Sequence, residues 1–168
     1  MPRRQRKEAK CKQLVPDQRY QNEEVRRFTN MLMLHGKYSV AYKMVCWAIE
    51  QTLEKAKLPP CDDKQQAVKQ LFDELIQKAG PEVEIKTKRL GGATYPVPVV
   101  VQTRRRVTLA FRWMIQYSRK RKGAIKNCLA QEFLDVLEGR GGTINERENL
   151  HRMARANMAF ANIKQRGT

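Results

Sequence analysis

The sequence predicts a mainly α protein: six helices in one domain, a two-stranded β-hairpin protruding between the third and fourth helices, and a basic N-terminal arm. Three observations predict it. Glycines and prolines at Gly36, Pro59-Pro60, Gly80-Pro81, Gly91-Gly92, Gly123 and Gly139–Gly142 cut the chain into segments, most of which carry apolar residues at helical spacing. Gly91-Gly92 instead lies between two runs rich in β-branched residues. The first twenty residues are rich in cations and hold no apolar run. The expected organisation is an arm over 1–20 and a helical domain over 21–168, with the hairpin at about 83–101. A chain of 168 residues buries ~70% of its unfolded surface, so the core requires neither disulfide nor metal.

The arm begins Met1-Pro2-Arg3-Arg4-Gln5-Arg6-Lys7, lacks the apolar stretch of a secretory leader, and reads as an extended segment that orders on a partner. An Arg-rich organelle presequence is the rival, opposed by Glu8, Asp17 and the prolines. The first helix follows Asn22 as N-cap, with Glu23 and Glu24 in its first turn and Val25, Phe28 and Leu32 on one face. The second, about 38–57, carries Ala41, Met44, Val45, Ala48, Ile49, Leu53 and Ala56. The third, about 62–79, carries Val68, Leu71, Phe72, Leu75 and Ile76. These are core-facing stripes.

The hairpin turns at Gly91 and Gly92, which supply the positive φ values of a two-residue turn. Pro96 and Pro98, two residues apart, remove two N–H groups from the same edge of the second strand. That side has no ladder partner there, so the hairpin reads as a two-stranded arm or a sheet edge rather than part of a larger sheet. A two-stranded ribbon is marginal in water and needs a core or a partner. Its exposed face offers Lys86 and Lys88, with Arg89 near the tip.

The fourth helix, about 103–120, has an apolar side with Val107, Ala110, Trp113, Met114 and Tyr117. Arg105, Arg112 and Arg119 recur every seven residues and so share one stripe. The fifth helix, about 124–138, buries Ile125, Leu129, Phe133, Val136 and Leu137. The sixth starts at Thr143, which with Glu146 matches a Thr-x-x-Glu capping box, and runs towards Ile163.

Charge decides the class of partner. The formal net charge is +17, and residues 81–126 hold twelve Lys/Arg against two Asp/Glu, whereas 31–80 hold seven against six. No acid follows Glu84 until beyond Lys126, so the Arg stripe lacks the i,i+4 acidic partners of an ordinary solvated helix. Clustered cations of this kind favour a phosphate backbone through counterion release. No apolar run approaches the ~18 residues of a membrane span.

Catalytic and metal-binding patterns are missing. There is no Gly-rich phosphate loop leading into Lys-Ser/Thr, no His-Glu-x-x-His and no Gly-x-Ser-x-Gly. Cys11, Cys46, Cys61 and Cys128 form no Cys-x-x-Cys pair, and His35 and His151 lie near none of them in sequence. Cys46 and Cys128 fall in helical apolar patterns as buried free thiols, which fits a reducing compartment. The expectation is a non-enzyme without cofactor.

Several blocks carry a family resemblance. They are Met1-Pro2-Arg3-Arg4, Phe28-Thr29-Asn30-Met31-Leu32-Met33 with Gly36-Lys37, Val83-Glu84-Ile85-Lys86, and Arg89-Leu90-Gly91-Gly92-Ala93-Thr94-Tyr95-Pro96-Val97-Pro98-Val99. Further blocks are Arg105-Arg106, Leu109-Ala110, Arg112-Trp113, Arg147-Glu148, His151-Arg152-Met153-Ala154, Ala156-Asn157 and Ala159-Phe160-Ala161. Together they resemble the small-subunit ribosomal protein seven family, bacterial and organellar branch, over most of the chain.

The resemblance implies a helical fold with a β-ribbon arm that binds the 3′ major, head domain of small-subunit rRNA and nucleates head assembly. It further implies that the hairpin lies near exit-site tRNA and mRNA, beside a neighbouring small-subunit protein. Carried over, Arg3, Arg4, Arg6 and Lys10 belong to the RNA-binding arm, Lys37 to an RNA-facing loop, and Lys86, Lys88 and Arg89 to the hairpin. Arg105, Arg112 and Arg119 belong to the fourth helix, flanked by Arg104, Arg106, Lys120, Arg121 and Lys122. No membrane association and no homo-oligomer is expected, and the location is a ribosome in a bacterial cytoplasm or an organelle. Pro96 stands where relatives often have Gln, and the tail lacks the family's frequent Trp. Leu58-Pro59-Pro60-Cys61 and the Phe28–Met33 block lean towards a mitochondrial member.

Two other readings compete. A DNA reader would lay the fourth helix in a major groove, which needs base-edge donors at its front and often two-fold symmetry, whereas these arginines line its whole length. A basic protein-interaction module would bind RNA only incidentally. Competition between folded RNA and duplex DNA of equal length separates the nucleic-acid readings.

Overall fold

The computed structural model describes residues 15–56, 63–90 and 92–161. The candidates Arg3, Arg4, Arg6, Lys10 and Gly91, with Cys11, Cys61 and the Leu58–Cys61 connection, lie outside the described residues. The elements run α1 (Glu23–Leu32), α2 (Tyr38–Lys55), α3 (Lys64–Ala79), β1 (Val83–Leu90), β2 (Ala93–Val100), α4 (Thr103–Lys120), α5 (Ile125–Leu137), α6 (Gly142–Ala156) and a 3-10 turn, Met158–Phe160. The expected order is observed, with the hairpin between α3 and α4.

Folded structure begins earlier than an arm over 1–20 implies. The buried Asp17 carboxylate accepts the N–H groups of Arg19 and Tyr20, each at 3.0 Å, and the Tyr42 hydroxyl of α2 at 3.2 Å. An Asx-type turn thus seats Tyr20 in the core. α1 opens as expected, because Asn22 Oδ1 accepts from the N–H groups of Glu24 and Val25. Beyond α1, His35 and Gly36 both take positive φ, +51° and +74°, which reverses the chain into α2.

Four helices meet on four phenylalanines. Phe28 of α1, Phe72 of α3, Phe111 of α4 and Phe133 of α5 are fully buried, with edge-on ring centroids 5.2–6.3 Å apart. Phe72, Phe133 and Phe28 follow from the apolar stripes; Phe111 does not. α4 is apolar over a wider arc than one stripe, because it packs in two directions. Phe111 and Met114 enter the main core, while Leu109 and Trp113 form a second cluster with Val101, Tyr117 and Leu150 of α6.

The start of α6 departs from the expected capping box. The helix begins one residue earlier, after Gly141 at φ +96°, so Thr143 lies inside its first turn. Its buried hydroxyl donates to Glu132 Oε1 at 2.6 Å, and Glu146 accepts the Tyr117 hydroxyl at 2.8 Å. Tertiary acceptors and donors have displaced the local pair. α6 also ends at Ala156, before the expected Ile163.

β1 and β2 pair antiparallel in register Leu90↔Ala93 through Val83↔Val100, and the described sheet has these two strands. Val101 N–H donates to the Glu82 carbonyl at 2.9 Å, making that pair a hydrogen-bonded rung. Rungs alternate in an antiparallel ladder, so Pro98 and Pro96, three and five residues back, occupy positions whose N–H would point away from β1. The prolines cost the ladder nothing and close its outer edge. The ribbon is steadied by α6 and the 3-10 turn: Val97 is buried and the Tyr95 ring lies 5.6 Å from Phe160.

Candidate nucleic-acid interface

The described cations fall into two groups, those directed to solvent and those used within the protein. Arg112 is exposed and has no hydrogen-bond or ion-pair partner among the described residues. Lys37 is exposed at the start of α2. Arg119 is exposed as well, although its Nη2 donates to the Leu32 carbonyl at the end of α1, 2.9 Å away. Lys37 and Arg119 line one open groove of about 520 Å3, floored by Leu32, Ala41, Met44 and Ile125. Arg119 and Arg112 line a second, with Met31 and Gln116. Arg119 therefore joins Lys37 to Arg112 in one continuous cationic surface.

The other end of the stripe meets the hairpin. Arg105 Nε donates to Glu84 Oε2 at 3.2 Å, and Lys86 Nζ lies 3.2 Å from Glu84 Oε1. From Arg105 to Arg119 the helix rises about 21 Å. α4 is thus a cationic line from the hairpin base to the α1–α2 loop. Burial by itself raises the Glu84 carboxyl, but the hydrogen bonds from Lys86 and Arg105 outweigh it and hold the group below its ordinary range.

Because Glu84's folded value lies below its unfolded one, its contribution is complete above pH 4.5 and is lost as pH falls through the folded value. Glu84→Gln is expected to cost under about 1 kcal/mol at pH 7, since both cationic partners are half solvent-exposed, and to flatten the acid limb of stability. Urea unfolding at pH 7 and below pH 4 checks both.

The hairpin faces divide differently from the sequence reading. Lys86 and Lys88 share a face with Glu84, Val97 and Tyr95, while Arg89, opposite Thr94, lies on the other face. Lys86 and Arg89 are exposed; Lys88 is half-buried. Gly92 takes φ +87°, as the turn requires.

Three flanking cations have internal roles. Arg106 donates to the Gly80 and Gln77 carbonyls at 3.3 and 3.1 Å. Lys120 lies over the Tyr117 ring, 4.6 Å from its centroid. Arg121 binds Glu132, which is fully buried, at 3.1 and 2.5 Å and Asp135 at 2.5 Å. Burial lowers the Arg121 guanidinium, yet hydrogen bonds from it to Asp135 and Glu132 win and raise it overall. Arg104 and Lys122 are exposed at the two ends of α4. Sequence reasoning passed over Arg26, stacked on Tyr38 at 4.5 Å, and Lys126, over Trp47 at 5.0 Å. Neither contact follows a short-range spacing rule, so no local signal announces it.

Among the described residues no group of three His, Cys, Asp or Glu could hold a metal ion, and no helix is long and apolar enough to cross a membrane. Cys46 and Cys128 are buried free thiols, and burial pushes the Cys46 thiol up.

The chain is similar to known proteins over nearly its whole length. The family described as ribosomal protein S7p/S5e matches residues 3–158. Small ribosomal subunit protein uS7 of Thiobacillus denitrificans is 41% identical over 165 residues, covering 98% of this chain and 99% of that protein. The uS7 protein of Xylella fastidiosa is 44% identical over 152 residues, covering 90% and 92%, and that of Teredinibacter turnerae is 40% identical over 165 residues, covering 98% and 99%. These relatives are bacterial, so the mitochondrial lean draws no support from them. The chain belongs to the ribosomal protein S7p/S5e family, whose members are structural proteins of the small ribosomal subunit and not enzymes.

Proposed function

We propose that this chain binds the 3′ major, head domain of small-subunit rRNA, nucleates assembly of the head, and extends its hairpin towards exit-site tRNA and mRNA beside a neighbouring small-subunit protein. The observation that carries the RNA contact is the cationic line of α4, which runs from the hairpin base through Arg112 to Arg119 and Lys37 with no acid on its own helix. Phosphates bind such a line by charge and spacing, without base readout. Folded RNA suits it better than duplex DNA, because arginines spread over a whole helix do not concentrate donors at one major-groove entry. The arm cations Arg3, Arg4, Arg6 and Lys10 add to the chain's positive charge, and Lys88 and Arg89 bring positive charge near the hairpin tip.

The test uses a folded rRNA head-domain fragment, with duplex DNA of equal length as competitor. RNA is expected to win by at least about tenfold at physiological salt. Lys37→Ala/Arg112→Ala, which disturbs no described hydrogen bond of either side chain, is expected to reduce the slope of log K against log salt by about 1 to 2. Equal competition by DNA with an unchanged slope would remove the basis of this reading.

A further inference from the structure

The segment joining α3 to the hairpin is held by side chains from two other helices. Arg106 of α4 donates from Nε to the Gly80 carbonyl and from Nη2 to the Gln77 carbonyl. Arg147 of α6 donates to the Lys78 carbonyl. One turn along α6, His151 Nε2 accepts the backbone N–H of Glu82 at 3.1 Å. The Glu82 carbonyl in turn accepts from Val101. The Glu82 backbone thus closes the last rung of the ribbon on one side and is tied to α6 on the other. Gly80 is part of the fit, since a Cβ there would lie 2.6 Å from Arg106 Cγ and from the Ile76 carbonyl oxygen.

The ribbon lies against α6 and the 3-10 turn through Val97 and Tyr95, and its base at Glu82 is where it joins the helical body. Eight residues of strand span about 26 Å, so a ten-degree rotation at the base moves the tip by about 4–5 Å. Any target near the tip depends on the base being held. We propose that His151, assisted by Arg106 and Arg147, is the latch that sets the hairpin's angle to the helical body. This deepens the RNA-binding reading of the hairpin and rests on it.

The chemistry of the latch is specific. An imidazole nitrogen accepts only when unprotonated, so the bond to Glu82 N–H requires neutral His151 with its proton on Nδ1. Burial, then Arg147, followed by Arg155 and by Arg106 of α4, lowers the His151 pKa; the Glu82 carboxylate opposes them. The latch is therefore closed above the ordinary histidine value of 6.5 and stays closed somewhat below it. It opens as pH falls through the lower folded value, when a protonated ring faces an N–H donor.

The experiment reads the free, full-length protein by NMR: amide exchange at Glu82, and residual dipolar couplings of both strands relative to α4 and α5. His151→Ala is expected to speed Glu82 exchange about tenfold and to break the agreement between hairpin and body couplings, while couplings within α4 and α5 persist. His151→Gln, whose amide oxygen can accept the same N–H, is expected to restore both. Acidifying wild type from about pH 7.5 until the His151 ring resonances report protonation should reproduce the Ala state, and the Gln variant should not respond. The latch is overturned if wild-type couplings ignore pH, if the Ala variant keeps them, or if Gln fails alongside Ala. Were both variants unfolded, the wild-type pH series decides alone. No RNA is present, so failure of the RNA-binding reading shows up separately, in the rRNA competition.

Discussion

Arg121→Ala is expected to destabilise the protein by about 3–5 kcal/mol, the cost of leaving a buried charge without its partner. The Glu132 side chain is wholly buried and receives Arg121 on Oε2 and the hydroxyl and N–H of Thr143 on Oε1. Asp135 shares the same guanidinium. Without Arg121, two carboxylates would face each other with only neutral donors and the exposed Arg140, 3.6 Å from Asp135, near them. Replacing Arg121 and Glu132 together by methionine should recover part of the loss, because the fully buried carboxylate leaves with its partner, while Asp135 keeps Arg140 and the Thr143 hydroxyl loses its acceptor. Urea unfolding of the two variants decides it. A loss below about 1 kcal/mol for Arg121→Ala would mean that the guanidinium is a solvated cation, as an exposed pair would be. The residue would then return to the RNA-binding set in which the basic run Arg119-Lys120-Arg121-Lys122 first put it.

The second large effect is expected at Phe28. Phe28→Ala should cost about 3–5 kcal/mol, combining the lost transfer free energy with the cavity left behind. The ring touches Phe72, Phe111 and Phe133 edge-on at 6.1, 5.2 and 5.4 Å, so its removal opens a void shared by α1, α3, α4 and α5. Four elements would have to move together to fill it, which makes relaxation small. Thermal and urea unfolding should both report the loss; a cost under about 1.5 kcal/mol would show that the helices collapse readily onto the gap. Because Phe28 is fully buried and belongs to the core, not to the cationic surface, rRNA affinity of the folded fraction should not change, separating this effect from those at Lys37 and Arg112.

Much of this molecule was legible as a line of letters. Asn22 before Glu23-Glu24, Gly92 of the turn and the two prolines of β2 are local signals, acting through a few adjacent backbone groups, and each appears as expected. The heptad of Arg105, Arg112 and Arg119 was likewise readable, because helical geometry alone puts them on one side. The capping box at Thr143 failed for the opposite reason. Its two side chains found better partners, Glu132 and Tyr117, eleven and twenty-nine residues away in sequence. Phe111 was missed because a single-stripe reading of α4 cannot see that the helix packs in two directions.

The sequence by itself therefore determined the class of partner and the order of elements. Net charge, its concentration in residues 1–30 and 81–126, and periodicity are properties that survive any arrangement of the chain. Only the tertiary structure decided which cations are available to that partner. Arg112 and Lys37 face outward, Arg105 and Arg119 face outward while also holding the hairpin and α1, and Arg106 and Arg121 are taken up by carbonyls and buried carboxylates. An arginine carries the same charge in every case. Its use depends on which acceptors the fold brings within about 3 Å, and those come from elements that sequence spacing does not relate.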